Sequence, residues 1–151
     1  MVRGLSLNGT ILQFLEWVDS PPLVIPTQNQ SKPMQIFKEF SFEAAHRLPN
    51  VPADHQCSRL HGHSFKVRIT VEGDAGIESG WVMDFSELGR AFRPLLDQLD
   101  HYYLNDIEGL ENPTSENLAK WIWLRLQPNL PNLFEIEIRE TCNSGCRYHG
   151  D

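Results

Sequence analysis

Positive charge is scarce in this 151-residue chain: 13 Lys and Arg stand against 20 Asp and Glu, for a net charge of −7. With a pI near 5.3 and no basic tract or aromatic-basic alternation, it lacks the clustered cations that nucleic acid or an anionic membrane surface demands of a main partner. Cysteine is scarce as well. Cys57, Cys142 and Cys146 are an odd set that forms no secreted disulfide framework, so a reducing cytoplasm is the expected setting. Cys142-x3-Cys146 reads as two ordinary thiols. No apolar run suits a transmembrane span. A signal peptide is not expected either, because the one early arginine and broken apolar stretch lack an uninterrupted h-region and a small-residue cleavage site. A glycine-rich dinucleotide fingerprint is also missing, which fits chemistry without a nicotinamide.

What is present has the length of one domain with a real core. The first 33 residues differ from the rest. Ile11, Phe14, Leu15 and Val18 have helical spacing, but Glu16 and Asp19 interrupt it and the stretch from Ser20 to Pro33 is rich in Pro, Gln and Ser. Two readings are open: a partner-binding helix on a flexible linker, or upstream codons ahead of a true start at Met34. The second is favoured, because strand patterning begins directly after Met34. The expected division is therefore a disordered or misassigned extension over 1–33 and one domain over 34–151.

From Gln35 the pattern is regular. Segments at about 35–48 and 61–72 alternate like strands and flank a loop with Pro49, Pro52, Asp54 and Cys57. A short strand is expected around Trp81 to Met83. Asp84 with Glu87 then forms a capping-box pattern for a helix carrying Leu88, Phe92, Leu95, Leu96 and Leu99 on one stripe. Thr114 caps a second helix with Leu118, Trp121, Ile122 and Leu126. A strand from Leu133 to Thr141 places Phe134, Ile136 and Ile138 inward and Glu135, Glu137 and Arg139 outward. Two helices, each apolar on one side, need one sheet face to cover, so the expected fold is an α+β sandwich ordered β-β-α-α-β-β.

The histidines stand out against this pattern. His46 continues the apolar face of Phe40, Phe42 and Ala44, while His61 and His63 open the face of Phe65, Val67, Ile69 and Val71. Residues two apart on a strand share a face, so His61-Gly-His63 can offer two imidazoles to one ion and a neighbouring strand the third. Any one alone reads as a core histidine satisfied by the backbone. Three at one end of adjacent strands read as a zinc site, because burying them together without a shared partner leaves polar nitrogens unsatisfied. Three ligands leave a position open, as catalytic zinc requires.

Glu140 shares the parity of the buried row of its strand, and a buried carboxylate needs a partner. An internal arginine, or a ligand presenting two N–H groups to its two oxygens, would serve; a loop- or helix-capping role is the plainer alternative. Asp100-His101 lies where the first helix ends. The pair suits a proton relay, although a solvated helix terminus would look the same.

Phe40-Ser-Phe-Glu-Ala-Ala-His46-Arg-Leu48, Cys57-Ser-Arg-Leu-His61-Gly-His63, Leu99-Asp-His101, Asn112-Pro-Thr-Ser-Glu116 and Glu140-Thr141 together resemble the pyruvoyl-tetrahydropterin synthase superfamily. The resemblance runs from about Gln35 to the C-terminus. The short gap between Cys57 and His61 is like that of the branch that forms 6-carboxy-tetrahydropterin on the way to queuosine and other 7-deazapurines. The resemblance implies the tunnelling fold (T-fold): a four-stranded antiparallel sheet with two helices on one face, assembled as a hexamer of two trimers with active sites between subunits. It implies a pterin triphosphate substrate and zinc on His46, His61 and His63. It further implies that Cys57 is the proton-abstracting base, that His101 with Asp100 relays protons, and that Glu140 grips the pterin. Cys57 can abstract a proton only as a thiolate, a form that nearby zinc and Arg59 would favour. Arg47, Arg59 and Arg147 are candidates for the triphosphate. Three other readings use the same residues: pyruvoyl formation without side-chain cleavage, a three-histidine zinc hydrolase, and a closed structural zinc with Cys57 as fourth ligand.

Overall fold

The structure, a computed structural model, describes residues 32–151; the readings of the first 31 residues lie outside the described residues. Strand β1 (Met34–His46) pairs antiparallel with β2 (His61–Gly73) along its whole length, from Met34 opposite Gly73 to His46 opposite His61. This register is the one the alternation demands. A slip by one residue would turn Phe42, Phe65, Val67 and Ile69 from the core to solvent, and each such buried side chain contributes roughly 1.5–3 kcal/mol.

Helix α1 (Phe85–Leu99) buries Leu88, Phe92, Leu95 and Leu99 and packs on β1. Helix α2 (Ser115–Leu126) buries Leu118, Trp121, Ile122 and Leu126 and packs on β3 (Leu133–Arg139) and β4 (Gly145–Tyr148). The sheet is antiparallel in the order β1-β2-β3-β4. The expected α+β fold, four antiparallel strands with two helices, is the observed one. Among the described residues no helix is long and apolar enough to cross a membrane.

Local expectations needed correction. Trp81 to Met83 form no strand; they belong to an irregular connection in which Trp81 is exposed. Asp84 caps α1 by accepting from Ser86 N (2.7 Å), one residue earlier than the capping-box pattern places the bond. In β3 the register shifts opposite Thr70 and Val71, so Val71 faces Leu133 and Phe134 is the extra residue. Leu133 therefore joins the core in place of Phe134. Glu137 does point away from the helices, as expected, yet it is only 5% exposed, because arginines cover it.

The segment after α1 is stitched to the end of β1. Glu43 N donates to Asp100 Oδ1 (3.0 Å), Glu43 O accepts from His101 N (2.6 Å) and Ala45 N donates to Tyr102 O (3.1 Å). These bonds carry the Asp-His pair to the strand end that holds His46.

Candidate active site

The register that aligns β1 with β2 puts His46 directly opposite His61, with His63 two residues along the same face. One potential ligand atom from each of the three lies within 4.8 Å of the others. Phe65 forms an apolar floor, its ring centroid 5.4 Å from that of His46 and 5.5 Å from that of His63.

Backbone carbonyls set the tautomers. His46 Nδ1 lies 2.9 Å from Pro113 O and His61 Nδ1 lies 2.8 Å from Arg59 O. A carbonyl can only accept, so each Nδ1 carries the hydrogen and each Nε2 presents a lone pair, the state a metal ligand needs. His46 is 1% exposed and its Nε2 has no hydrogen-bond partner. Leaving such an atom unsatisfied costs about 1–3 kcal/mol. A divalent ion at this point would satisfy it, so the donor set fits a metal on chemical as well as geometric grounds. Burial pushes the His46 imidazole below its ordinary range, and the neighbouring His61 and His63 add to this; the Pro113 carbonyl and the charge of Glu140 oppose it without prevailing.

The thiol of Cys57 is not among the described side chains whose ligand atoms gather here. It sits on a single 3-10 turn (Gln56–Ser58), half-buried, and its carbonyl accepts from Leu48 N at 2.8 Å, tying the turn to the chain just past His46.

Asp100 Oδ1 is 3.0 Å from His101 Nδ1 while also receiving the Glu43 N–H. The Glu43 N–H, and then His101, hold the Asp100 carboxyl below its usual range. His101 has φ of 64°, a left-handed conformation uncommon outside glycine, and its side chain is 77% exposed. The backbone bond to Glu43 holds it there, at an open cleft of about 500 Å³ shared with Ala44, His63 and Tyr102.

Glu140 lies just beyond the end of β3 and is half-buried. The internal arginine expected as one possible partner is not what it contacts: Ser115 Oγ donates to Glu140 Oε1 at 2.9 Å. Sequence reasoning missed Ser115, although it lies within Asn112-Pro-Thr-Ser-Glu116. That short stretch serves several parts of the site: the Pro113 carbonyl orients His46, Thr114 Oγ1 caps α2, and Ser115 holds Glu140. Glu140 lines a second cleft of about 460 Å³ with His63, Lys66, Arg139, Thr141 and Cys142. His63 lines both clefts, so the Asp-His pair and the carboxylate flank the imidazole cluster.

Comparison with known proteins identifies the family. The family model described as 6-pyruvoyl tetrahydropterin synthase matches residues 35–151. The chain is 52% identical to 6-carboxy-5,6,7,8-tetrahydropterin synthase of Synechocystis sp. over 119 residues, which cover 75% of this chain and 91% of that one. It is 40% identical to dihydroneopterin monophosphate aldolase of Pyrococcus furiosus over 97 residues, 64% of this chain and 78% of the relative. The structure of Caenorhabditis elegans 6-pyruvoyl tetrahydropterin synthase is similar with a TM-score of 0.73 at 27% identity, covering 79% of this chain and 96% of the other.

Proposed function

The chain belongs to the 6-pyruvoyl tetrahydropterin synthase family, and we propose that it is a zinc-dependent lyase of the queuosine and 7-deazapurine route. It converts 7,8-dihydroneopterin triphosphate and water to 6-carboxy-5,6,7,8-tetrahydropterin, acetaldehyde and triphosphate. The observation that carries this reading is the meeting of two clefts at His63, one bearing His101 and the other Glu140, beside a buried imidazole nitrogen without a partner.

His46, His61 and His63 would hold zinc, which when bound would supply Lewis-acid polarisation of the substrate's side-chain hydroxyls and so make the neighbouring carbon-bound hydrogen more acidic. Cys57, as a thiolate, takes that proton on Sγ. His101, with Nδ1 held by Asp100, accepts and returns protons through Nε2. Glu140 accepts two N–H groups from the guanidine-like edge of the pterin, and Ser115 keeps its carboxylate from turning away. The ring is reduced at the expense of the side chain, which loses triphosphate and then its outer two carbons as acetaldehyde, leaving the carboxylate on the ring. No external reductant is needed.

The protein works as a homo-oligomer, two trimers joined into a hexamer, in the cytoplasm. Supporting this, β1 is a long edge strand with Met34 and Phe37 exposed, and joining subunits edge to edge would remove that liability.

Anaerobic incubation of the zinc-loaded protein with dihydroneopterin triphosphate, followed by mass spectrometry of the pterin and an acetaldehyde assay, tests the reading. Carboxy-tetrahydropterin with acetaldehyde is expected. Pyruvoyl-tetrahydropterin without acetaldehyde would move the chain to the sister activity. Carbon–carbon cleavage of the monophosphate in a parallel reaction, with the triphosphate untouched, would move it toward the aldolase.

A further inference from the structure

Resting on the reading of the Glu140 cleft as a pterin triphosphate site, the geometry points to Lys66 and Arg139, with Arg147 behind them, as the subsite that holds the oligophosphate. Lys66 and Arg139 are direct cross-strand partners on β2 and β3, so their side chains leave the same face side by side. Like charges placed opposite one another on a sheet are destabilising unless something offsets them. Among the described residues Lys66 forms no hydrogen bond or ion pair, and it lines the same cleft as His63 and Glu140.

Glu137 makes the neighbouring cations rigid. Its carboxylate takes the Nε of Arg139, and the Nε of Arg147 at 2.8 Å, so both guanidinium planes are held from behind. Arg147 is 62% exposed and forms no other hydrogen bond or ion pair among the described residues, leaving its terminal nitrogens available. Arg139 lines both the Glu140 cleft and an adjoining one of about 390 Å³ that contains Ser144 and Arg147. Gly145 follows Arg139 in the same cross-strand row. A Cβ there would come within 2.5 Å of Ile138 O and 2.9 Å of Arg139 Cγ, so the β4 backbone lies tight against Arg139 and only glycine fits beside it. On a chain of net charge −7, this row gives a polyanionic substrate the local positive charge it needs.

Arg47 and Arg59, the other candidates named from sequence, are exposed and line neither cleft that meets His63. Arg147 keeps its candidacy, and Lys66 and Arg139 replace the other two.

Calorimetric titration of the zinc-loaded protein with inorganic triphosphate, comparing the parent with Lys66→Gln at equal zinc content, is the test. It is paired with KM for dihydroneopterin triphosphate and with the affinity for dihydroneopterin lacking phosphate. Lys66→Gln is expected to weaken triphosphate binding and raise KM by roughly tenfold, as loss of one charge-assisted hydrogen bond should. The affinity for unphosphorylated dihydroneopterin and kcat should stay unchanged, and Lys66→Arg should restore binding. Free triphosphate bound as tightly by Lys66→Gln as by the parent, as happens if the zinc alone holds it, overturns the subsite. A loss of unphosphorylated dihydroneopterin affinity equal to the loss for triphosphate also overturns it. Lys66-dependent triphosphate binding by a protein that turns over no pterin keeps the anion site and removes the pathway reading instead.

Discussion

On the helix-facing side of the sheet three imidazoles converge and one buried nitrogen, His46 Nε2, is left without a partner. On the opposite side a single buried carboxylate, Glu137, is met by Arg68, Arg139 and Arg147. Both clusters put polar groups where a strand would otherwise be plain, yet they are completed differently. Glu137 is satisfied within the chain. Desolvation is the largest influence on it and pushes its carboxyl up, but the arginines together outweigh burial and hold it below the ordinary glutamate range. His46 is not satisfied: burial dominates and its imidazole is held neutral. The saturated cluster serves the fold, while the unsaturated one is stable only at a cost that a ligand can remove.

The sharpest way to break this contrast is His46→Ala. Bound metal and turnover should both be lost by orders of magnitude. The metal-free variant should melt close to the metal-free parent, because the removed ring was itself an unsatisfied polar group. A collapse in melting temperature far beyond that of the stripped parent would mean the histidine is structural.

Glu137→Gln should do the reverse. Removing the buried anion that three guanidiniums share, with Glu39 still pairing Arg68 and Arg139 from the exposed side, is expected to cost about 2–3 kcal/mol in urea unfolding, below the figure for a fully buried pair because the arginines are partly exposed. Bound metal should be unchanged. Loss of the metal in this variant would show that the two faces are coupled.

Acid should separate the clusters in time. The folded value of His46 lies below the unfolded one of about 6.5, so its contribution is complete above that point and declines as the pH falls toward the folded value. Glu137 is depressed too, from 4.5, so its contribution persists until the pH drops below that and is then lost through its folded value. Bound metal should therefore begin to leave as the pH falls below about 6.5, with the far-ultraviolet circular dichroism still native. Coincident loss of both signals in one titration would erase the distinction.

Arg147→Gln should have the smallest effect on the fold. A cation 62% exposed is well screened, and its removal should cost less than about 1 kcal/mol in the same urea experiment. A larger loss would make Arg147 part of the structural cage first and of the anion row second.

The fold was largely legible along the chain because its signals are local. Alternation over Phe40 to His46 and over His61 to Val71, and the helical stripes ending at Leu99 and Leu126, each depend on residues only a few positions apart. What escaped depends on pairing across the molecule. Phe134 and Leu133 exchange places because of a register shift against Thr70 and Val71, which nothing within β3 records. Glu137 looks like any solvent-facing glutamate until Arg68 and Arg147 arrive from neighbouring strands. For Glu140, parity correctly indicated a carboxylate needing company, but its partner is a hydroxyl 25 positions earlier.

Ligand type and strand parity were thus enough to nominate three histidines for one ion, because imidazoles that continue an apolar face must find a partner somewhere. Which nitrogen each ring presents, the left-handed turn that swings His101 to the cleft, and the pairing of Lys66 with Arg139 were set only by folding. Each of these follows from hydrogen bonds and strand register between segments far apart in the chain, whose geometry exists only once the sheet has closed.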